Sequence, residues 1–556
     1  MKKSLQQLFP GRDDDGGDEG AVLVPPDDGH GGGGGAGGGE PPPSVKQEQE
    51  VWWRRKKLLL VPKRSGVGLV IAGLVVLACL LIGSATSGWI HLDYASSFFL
   101  GGGGGGGSGG MSSRRRPPHH VLSPEADLVP IPALACGGGN TSSGTPPADA
   151  PSSSSAPAAS EANSECPEYF RFIHSDLSPW RETGITLEAV ERARAKAAFR
   201  LVVVDGRAYV ETYHRVFQTR DTFTQWGIAQ LLARYPGRVP DLDLMFNCED
   251  MPEVRRTTTT MPLFRYCKDG DTVDIVFPDW SFWGWPEVNI RPWTPLLDEM
   301  AANMARLPWP RREPYAYWKG NPGVSPERRD LLRCNKTWFK AHVFAQNWGA
   351  ATRAGFTGSN LAEQCRYRYK IYVRGRSWSV SEKYILACDS PVLLVDTPFQ
   401  DFFSRGLVAG KHYWPIDPKR KCHAIRAAVD WGNAHPDEAL QMAQQGSGFA
   451  RDDLSMDYVY DYMLHLLTQY AALLRYKPTV PEKAVELSAE ALACPAQGRV
   501  RDFMMQSRER FVAGYDPCVL PPPFTADELS QMATREQEVR ARVRKITTMD
   551  DMDHHT

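Results

Sequence analysis

Leu-Met-Phe-Asn-Cys-Glu-Asp-Met-Pro, residues 244–252, reads as an apolar strand that runs out into a polar cluster. The strand itself covers 242–246, and Glu249 and Asp250 stand just past its end. Ligands of α/β sheets bind beyond the carboxyl ends of strands. A carboxylate placed there can take a proton from a hydroxyl; the alternative is an aspartate that merely caps a helix or closes a turn. Upstream, residues 186–199 have helical composition with Thr186 as a cap. Residues 201–204 then meet 208–213 across Asp205-Gly206, a hairpin signal. Downstream, helical character at 222–235 and 294–307 brackets a short strand at 274–277. Beyond Pro314 the alternation repeats: strands at 315–318, 367–373 and 392–395, helices at 326–334 and 379–388, and helical periodicity from 422 to 476. Strands alternating with helices indicate parallel α/β sheets. Two such series, split near residue 310, predict two α/β lobes facing a cleft.

Three further segments carry chemistry. Phe-Pro-Asp-Trp-Ser-Phe-Trp-Gly-Trp-Pro-Glu-Val-Asn-Ile (277–290) packs Trp280, Trp283 and Trp285 close together. Such density fits an aromatic cleft wall, since sugar rings present apolar C–H faces; a packed core loop is the other reading. Tyr-Trp-Lys-Gly-Asn-Pro-Gly-Val-Ser-Pro-Glu-Arg-Arg (317–329) takes a strand through a Gly/Pro loop into a helix start. Backbone N–H groups at a helix start favour phosphate, and Arg328 or Arg329 could add a bidentate contact. Residues 365–384 repeat that layout, with a strand ending at Arg374-Gly375 and a Ser-rich turn behind it. The alternating Arg and Lys of that strand read by default as an exposed face. Asp241-Leu-Asp243 has the form of a metal-holding pair, but its place before an apolar strand points to a turn. From Cys166 onward no dinucleotide or P-loop glycine pattern, GxSxG or HExxH is present.

Composition separates this body from what precedes it. Of 50 Gly, 31 lie in the first 165 residues, whereas 13 of 16 Trp follow Cys166. Glycine runs bury no apolar surface and are costly to order. Residues 1–65 therefore read as a disordered cytosolic tail and 91–165 as a flexible stem. Between them, 66–90 carries an uncharged stretch from Val67 to Ile90, long enough for a membrane helix. Lys and Arg cluster before it, and none follows until Arg114, so the body is placed in the secretory lumen. Ten of the eleven Cys fall on that side, an even number that suits disulfides. Asn140 and Asn335 fit the glycan acceptor pattern. A net charge of -1 makes nucleic acid a poor partner.

The four segments, in this order and spacing, resemble the Rumi-like protein O-glucosyltransferases of glycosyltransferase family 90, the capsule-associated or KDEL-motif-containing lumenal type. The plant-like branch is closest, given YWKGNP, WSVSEKYILACDS and KHYWPI (411–416). The resemblance covers about 166–515. It implies a GT-B architecture, with an N-terminal Rossmann-like lobe at 166–310 on the acceptor side and a C-terminal lobe at 311–480 that binds UDP-sugar. C-terminal helices at 481–520 and a charged tail at 521–556 complete the expected organisation. The resemblance further implies an inverting transfer of glucose or xylose from UDP-glucose or UDP-xylose, with no obligatory cofactor and no metal. The acceptor would be a hydroxyl of a glycoprotein or of a cell-wall polysaccharide.

Residue by residue, Asp250 matches the family's catalytic base and Arg328 its diphosphate-binding arginine. Asn321 and Ser325 fall in the donor loop, which is one residue longer here. Arg376, Ser377, Trp378, Ser379, Val380 and Ser381 match the stretch that wraps the nucleotide. Ser381 replaces a family arginine, whose charge Lys383 is in place to supply. Trp280, Trp283, Trp285, Glu287 and Asn289 fall on the sugar side, and Cys365 and Cys388 match a paired disulfide. The chain ends Asp-His-His-Thr and not in a KDEL-type signal, so with a membrane anchor the Golgi, or else the ER, is the expected membrane, in type II orientation. Two alternatives stand beside this reading: an inactive lumenal carbohydrate-binding scaffold of the same fold, and an adhesive receptor ectodomain.

Overall fold

The computed structural model describes residues 128–136, 164–256 and 260–553. The expected membrane span, the cytosolic tail, most of the stem and Asn140 lie outside them. Among the described residues, no helix is long and apolar enough to cross a membrane.

The fold is mixed α/β, built on two sheets. The first begins with a hairpin, β1 (Phe199–Val204) and β2 (Arg207–Thr212), paired in the register Val204↔Arg207. That register leaves Asp205-Gly206 as a two-residue loop. Both residues have positive φ, 50° and 73°, the backbone twist that a right-handed hairpin requires. Helix α1 (Leu187–Ala193) precedes the hairpin, and the Thr186 side chain accepts the Ala189 N–H as its cap. Helix α2 (Arg220–Arg234) follows and leads into β3 (Leu242–Phe246), buried along its whole length. β3 pairs antiparallel with β1 on one side and parallel with β4 (Leu263–Arg265) on the other, and β4 pairs parallel with β5 (Ile275–Val276). Thus the first sheet is mixed, where uniform alternation predicted a parallel one. Helix α3 (Trp293–Arg306) closes the series.

The second sheet is parallel throughout. Its strands are β6 (Glu313–Gly320), β7 (Ala341–Ala345), β8 (Tyr367–Tyr372), β9 (Val392–Val395) and β10 (Tyr413–Ile416), in the spatial order β10-β9-β8-β6-β7. Helix α4 (Pro326–Leu331) leaves β6, and α5 (Ser381–Leu386) joins β8 to β9. The chain steps from β6 to β7 on one side, then returns to β8 on the other. The carboxyl ends of β6 and β8 are therefore a topological switch point, where such sheets open a binding crevice. Side chains of Ala316, Trp318, Val343, Ile371 and Leu393 form one core on the face covered by α6 (Lys421–Ala434).

Helix α7 (Pro436–Gly448) follows α6, and the chain then recrosses. Helix α8 (Met456–Ala471) packs on β3, where Tyr470 Oη donates to the Asp243 carbonyl at 3.0 Å. Strand β11 (Val485–Leu487) adds to the outer edge of the first sheet beside β2. The second lobe expected at 311–480 thus gives up α8 to the first sheet. Beyond the prolines at 521–523 the charged segment is helical, as its composition suggests: it forms one long helix, α9 (Ala526–Asp553), docked along α6. Arg426 binds Asp550 and Asp551 there, and Val543 and Thr547 are buried under it.

Four disulfides lock this path: Cys136–Cys494, Cys166–Cys518, Cys334–Cys422 and Cys365–Cys388. The first two close separations of 358 and 352 residues, tying Cys136 and Cys166 to the C-terminal region. Cys248 and Cys267 are free and buried, so eight of the ten cysteines expected to be lumenal are paired. Asn335 is exposed, as a glycan acceptor must be, although its Oδ1 accepts the Val343 N–H at 3.0 Å.

Candidate active site

The carboxyl ends of both sheets open on one cleft of about 210 Å³. The first sheet contributes the segment after β3. Asn247 Oδ1 accepts the Glu249 N–H, and fully buried Arg265 donates to the Glu249 carbonyl at 3.0 Å. This turn presents Asp250 to the cleft with its side chain 26% exposed. Arg220, the first residue of α2, pairs with Asp250 Oδ1 at 2.8 Å and also donates to the Cys248 carbonyl at 3.2 Å. Its guanidinium lies 4.5 Å from the Trp280 ring centre. One carboxylate oxygen is therefore oriented by a buried cation, while Oδ2 has no hydrogen-bond partner among the described residues.

The aromatic segment divides. Trp280 and Trp285 line the cleft, and Trp285 Nε1 is held by Gln218 Oε1 at 2.8 Å. Trp283 does not: it is fully buried in the core and donates to Tyr460 Oη at 2.9 Å. Glu287 and Asn289 occupy the turn of a small ladder in which Trp285 and Ile290 exchange backbone hydrogen bonds. Asn289 takes the left-handed conformation, φ 58°. Glu287 accepts from Thr219 Oγ1 at 3.0 Å, and burial pushes its carboxyl above the usual range. These two shape the wall without lining it. Trp280 Nε1 and Trp378 Nε1, both buried in the wall, have no acceptor.

On the second sheet, Asn321, Arg328, Arg376, Trp378, Ser379, Val380 and Ser381 all line the cleft. Ser325, 2% exposed, caps α4 by accepting the Arg328 N–H, and so sets the arginine without facing the cleft. Arg328 spans the turn after β8, donating to the Arg374 carbonyl at 2.9 Å and to Ser379 Oγ at 3.1 Å. No carboxylate pairs with it among the described residues. Burial pulls its pKa down to about 10, with Arg374 adding repulsion against the rise that Tyr372 contributes. A desolvated guanidinium without a counter-ion is a receptor for an anion. Lys383 does not supply the missing family charge. It is fully buried beneath the cleft, donating to Ser281 Oγ at 2.6 Å and to Asp279 Oδ2 at 3.3 Å. Ser377 is likewise buried and bonds to protein instead of lining the cleft.

The metal reading of Asp241-Leu-Asp243 fails on geometry. Asp243 is fully buried in β3, where Arg200 grips both of its oxygens at 2.7 and 2.6 Å, and Asp241 accepts the Asp205 N–H. Among the described residues, one His/Cys/Asp/Glu group is tight enough for an ion, Cys166, His465 and Cys518, and its two sulfurs form a disulfide.

Sequence reasoning missed Arg220, Lys370 and the strand β7, whose end brings Gln346 to the cleft. One signal for Arg220 existed: a cation in the first turn opposes the helix dipole, and such local conflicts mark function. Lys370 had none, because its strand reads as alternately exposed. It is instead 2% exposed, with Nζ on the Gln364 carbonyl at 3.0 Å and 4.4 Å from the Tyr317 ring centre. Burial first, then the Arg312 charge, lowers its pKa to about 7. Folding therefore expels a proton between about pH 7 and the unfolded lysine value, so stability rises with pH across that window and is lowest below pH 7. Lys370→Met removes this dependence. Its stabilising effect is expected to be roughly 2–3 kcal/mol larger at pH 6 than at pH 9. Thermal unfolding at the two pH values measures this, and an equal gain at both would refute it.

The family model for Glycosyl transferase family 90 matches residues 161–547, most of the chain. The chain belongs to glycosyltransferase family 90. Within that family it is similar to protein O-glucosyltransferase 1 of Homo sapiens, 26% identical over 335 residues that cover 57% of this chain and 83% of the relative. It is also similar to the O-glucosyltransferase rumi of Drosophila pseudoobscura pseudoobscura, 26% identical over 60% of this chain and 84% of the relative. A sucrose-phosphate synthase from Thermosynechococcus elongatus overlaps 32% of this chain and 42% of its own at 14% identity, with a TM-score of 0.21 that bears no weight. The chain is thus a Rumi-like member of family 90.

Proposed function

We propose that this family 90 chain is an inverting O-glycosyltransferase of the secretory pathway with a GT-B arrangement of its two sheets. It would transfer glucose or xylose from a UDP-sugar to a hydroxyl of a glycoprotein or polysaccharide acceptor. The observation that carries this reading is the pairing, in one cleft, of an oriented carboxylate, Asp250, with a carboxylate-free guanidinium, Arg328. In the reaction Asp250 Oδ2 takes the acceptor proton as the acceptor oxygen bonds to the anomeric carbon. The bond from that carbon to the diphosphate oxygen breaks on the opposite face, and UDP leaves with the electron pair. Arg328 stabilises the charge that develops on the diphosphate. Opposite-face attack converts an α-linked donor into a β-glycoside. The names of the relatives favour glucose as the donor sugar and a protein as the acceptor.

We further read the chain as a type II protein of the Golgi or ER membrane, anchored by residues 66–90. This rests on the uncharged run and the one-sided basic flank. The inactive-scaffold alternative is disfavoured because a scaffold needs neither Asp250 nor Arg328 in place. The test uses the full-length chain in detergent with UDP-glucose and UDP-xylose, each with a glycoprotein or polysaccharide acceptor, and reads UDP release. Acceptor-dependent release with one of them supports the transferase. Saccharide binding without release from either would favour the scaffold.

A further inference from the structure

The turn between β8 and α5 touches both halves of the site. Its entry is pinned by Arg374, whose Nη2 bonds Glu327 at 2.8 Å. Arg328 holds the entry at the Arg374 carbonyl and the exit at Ser379 Oγ, while the Ser379 N–H donates to Tyr372 Oη at 3.1 Å. The Gly375 N–H closes the turn on the Trp378 carbonyl at 3.1 Å. A Cβ at Gly375 would stand 2.7 Å from that carbonyl oxygen, so this closure requires glycine. Ser377 sits at the tip, fully buried, and does not line the cleft. It donates at 2.5 Å to the main-chain carbonyl of Asp250, which also accepts from Cys267 Sγ at 3.2 Å. Beside it, the Trp378 ring packs on Tyr266 and Trp280 of the first sheet, with centres 5.8 and 6.3 Å apart.

We propose that Ser377 is a positioning residue that couples the donor site to the base. This rests on the reading of Arg328 as the diphosphate contact and Asp250 as the base. A diphosphate on Arg328 stiffens the turn that Arg328 spans, and the Ser377 hydroxyl carries that order to the backbone of Asp250. A hydroxyl so placed acts on turnover and not on donor affinity, because it contacts the catalytic loop and not the ligand.

The experiment compares the full-length chain with Ser377→Ala. The expected kcat of the variant is about tenfold lower, with the donor KM and the calorimetric UDP Kd within twofold of the parent, since small displacements of a reacting group are costly. Hydrogen exchange supplies an independent readout. UDP is expected to slow exchange at 325–328 in both proteins, but at 248–252 in the parent alone. Should Ser377→Ala not fold, Ser377→Cys keeps the volume and a weaker donor, and is expected to show an intermediate kcat and intermediate protection of 248–252. An unchanged kcat in the folded variant would overturn the coupling. So would protection of 248–252 by UDP that is the same in the variant as in the parent, or absent from both. A parent chain that binds no UDP would instead sink the functional reading itself.

Discussion

Asp250→Asn is expected to leave a folded protein that still binds UDP but transfers sugar roughly a thousandfold more slowly. Asparagine has the volume of aspartate, and its Oδ1 can still accept from Arg220, so the turn after β3 keeps its shape. What disappears is the basic oxygen. General-base assistance contributes about 10²–10⁴ in rate, and an amide oxygen cannot hold the transferred proton. Arg220 loses its ionic partner but retains the Cys248 carbonyl and the Trp280 face. The stability cost should therefore stay near 1–3 kcal/mol, the range for weakening one buried charged hydrogen bond. UDP release with acceptor present gives the rate, and thermal unfolding confirms the fold. More than a tenth of parental activity in folded protein would remove Asp250 from the role of base.

The second large effect concerns Arg328. Replacing it with Ala is expected to lower kcat/KM for the UDP-sugar by about 10²–10³, the usual loss when one preorganised donor to a developing anion is deleted. No acidic group among the described residues is orphaned by the change, because none of them pairs with Arg328. Burial has already lowered its pKa, to about 10, so the cost of holding this cation is complete at neutral pH, and an arriving diphosphate relieves it. Arg328→Lys keeps the charge but replaces the planar fork with a single ammonium. That group cannot span the Arg374 carbonyl and Ser379 Oγ together, so a loss of about tenfold or more should persist. Parental kcat/KM in the lysine variant would show that charge alone matters there. Parental kcat/KM in the alanine variant would exclude Arg328 from the donor site.

Much of this architecture was legible because the signals were local. Asp205-Gly206 between two apolar runs specifies a two-residue hairpin whatever surrounds it. Strand β3 was readable from five consecutive residues, and Thr186 was readable as a cap; Ser325, expected in the donor loop, proves to be a cap as well. The short strands β4, β7 and β11 were not. β4 has only three residues, β7 is half exposed and interrupted by a histidine, so neither offers the continuous apolar run that marked β3, and β11 owes its existence to the edge that β2 offers from far earlier in the chain.

The functional residues divide along the same line. The segments narrowed the choice to Glu249 or Asp250 and to Arg328 or Arg329, the family resemblance picked Asp250 and Arg328, and both do line the cleft. Trp283, Ser377 and Lys383 sat in equally good segments, yet the fold turned their side chains into the interior. Consecutive residues of a loop point in different directions, and no sequence period says which direction is the cleft. The sequence alone thus determined the alternation of elements and the hairpin, and it put charged candidates after β3 and at the start of α4, since each depends on neighbours within a few residues. Only the tertiary structure decided that Arg220 orients Asp250 across 30 residues, and that Ser377 reaches it across 127. Ion pairing and burial are properties of surroundings that folding assembles from distant parts of the chain.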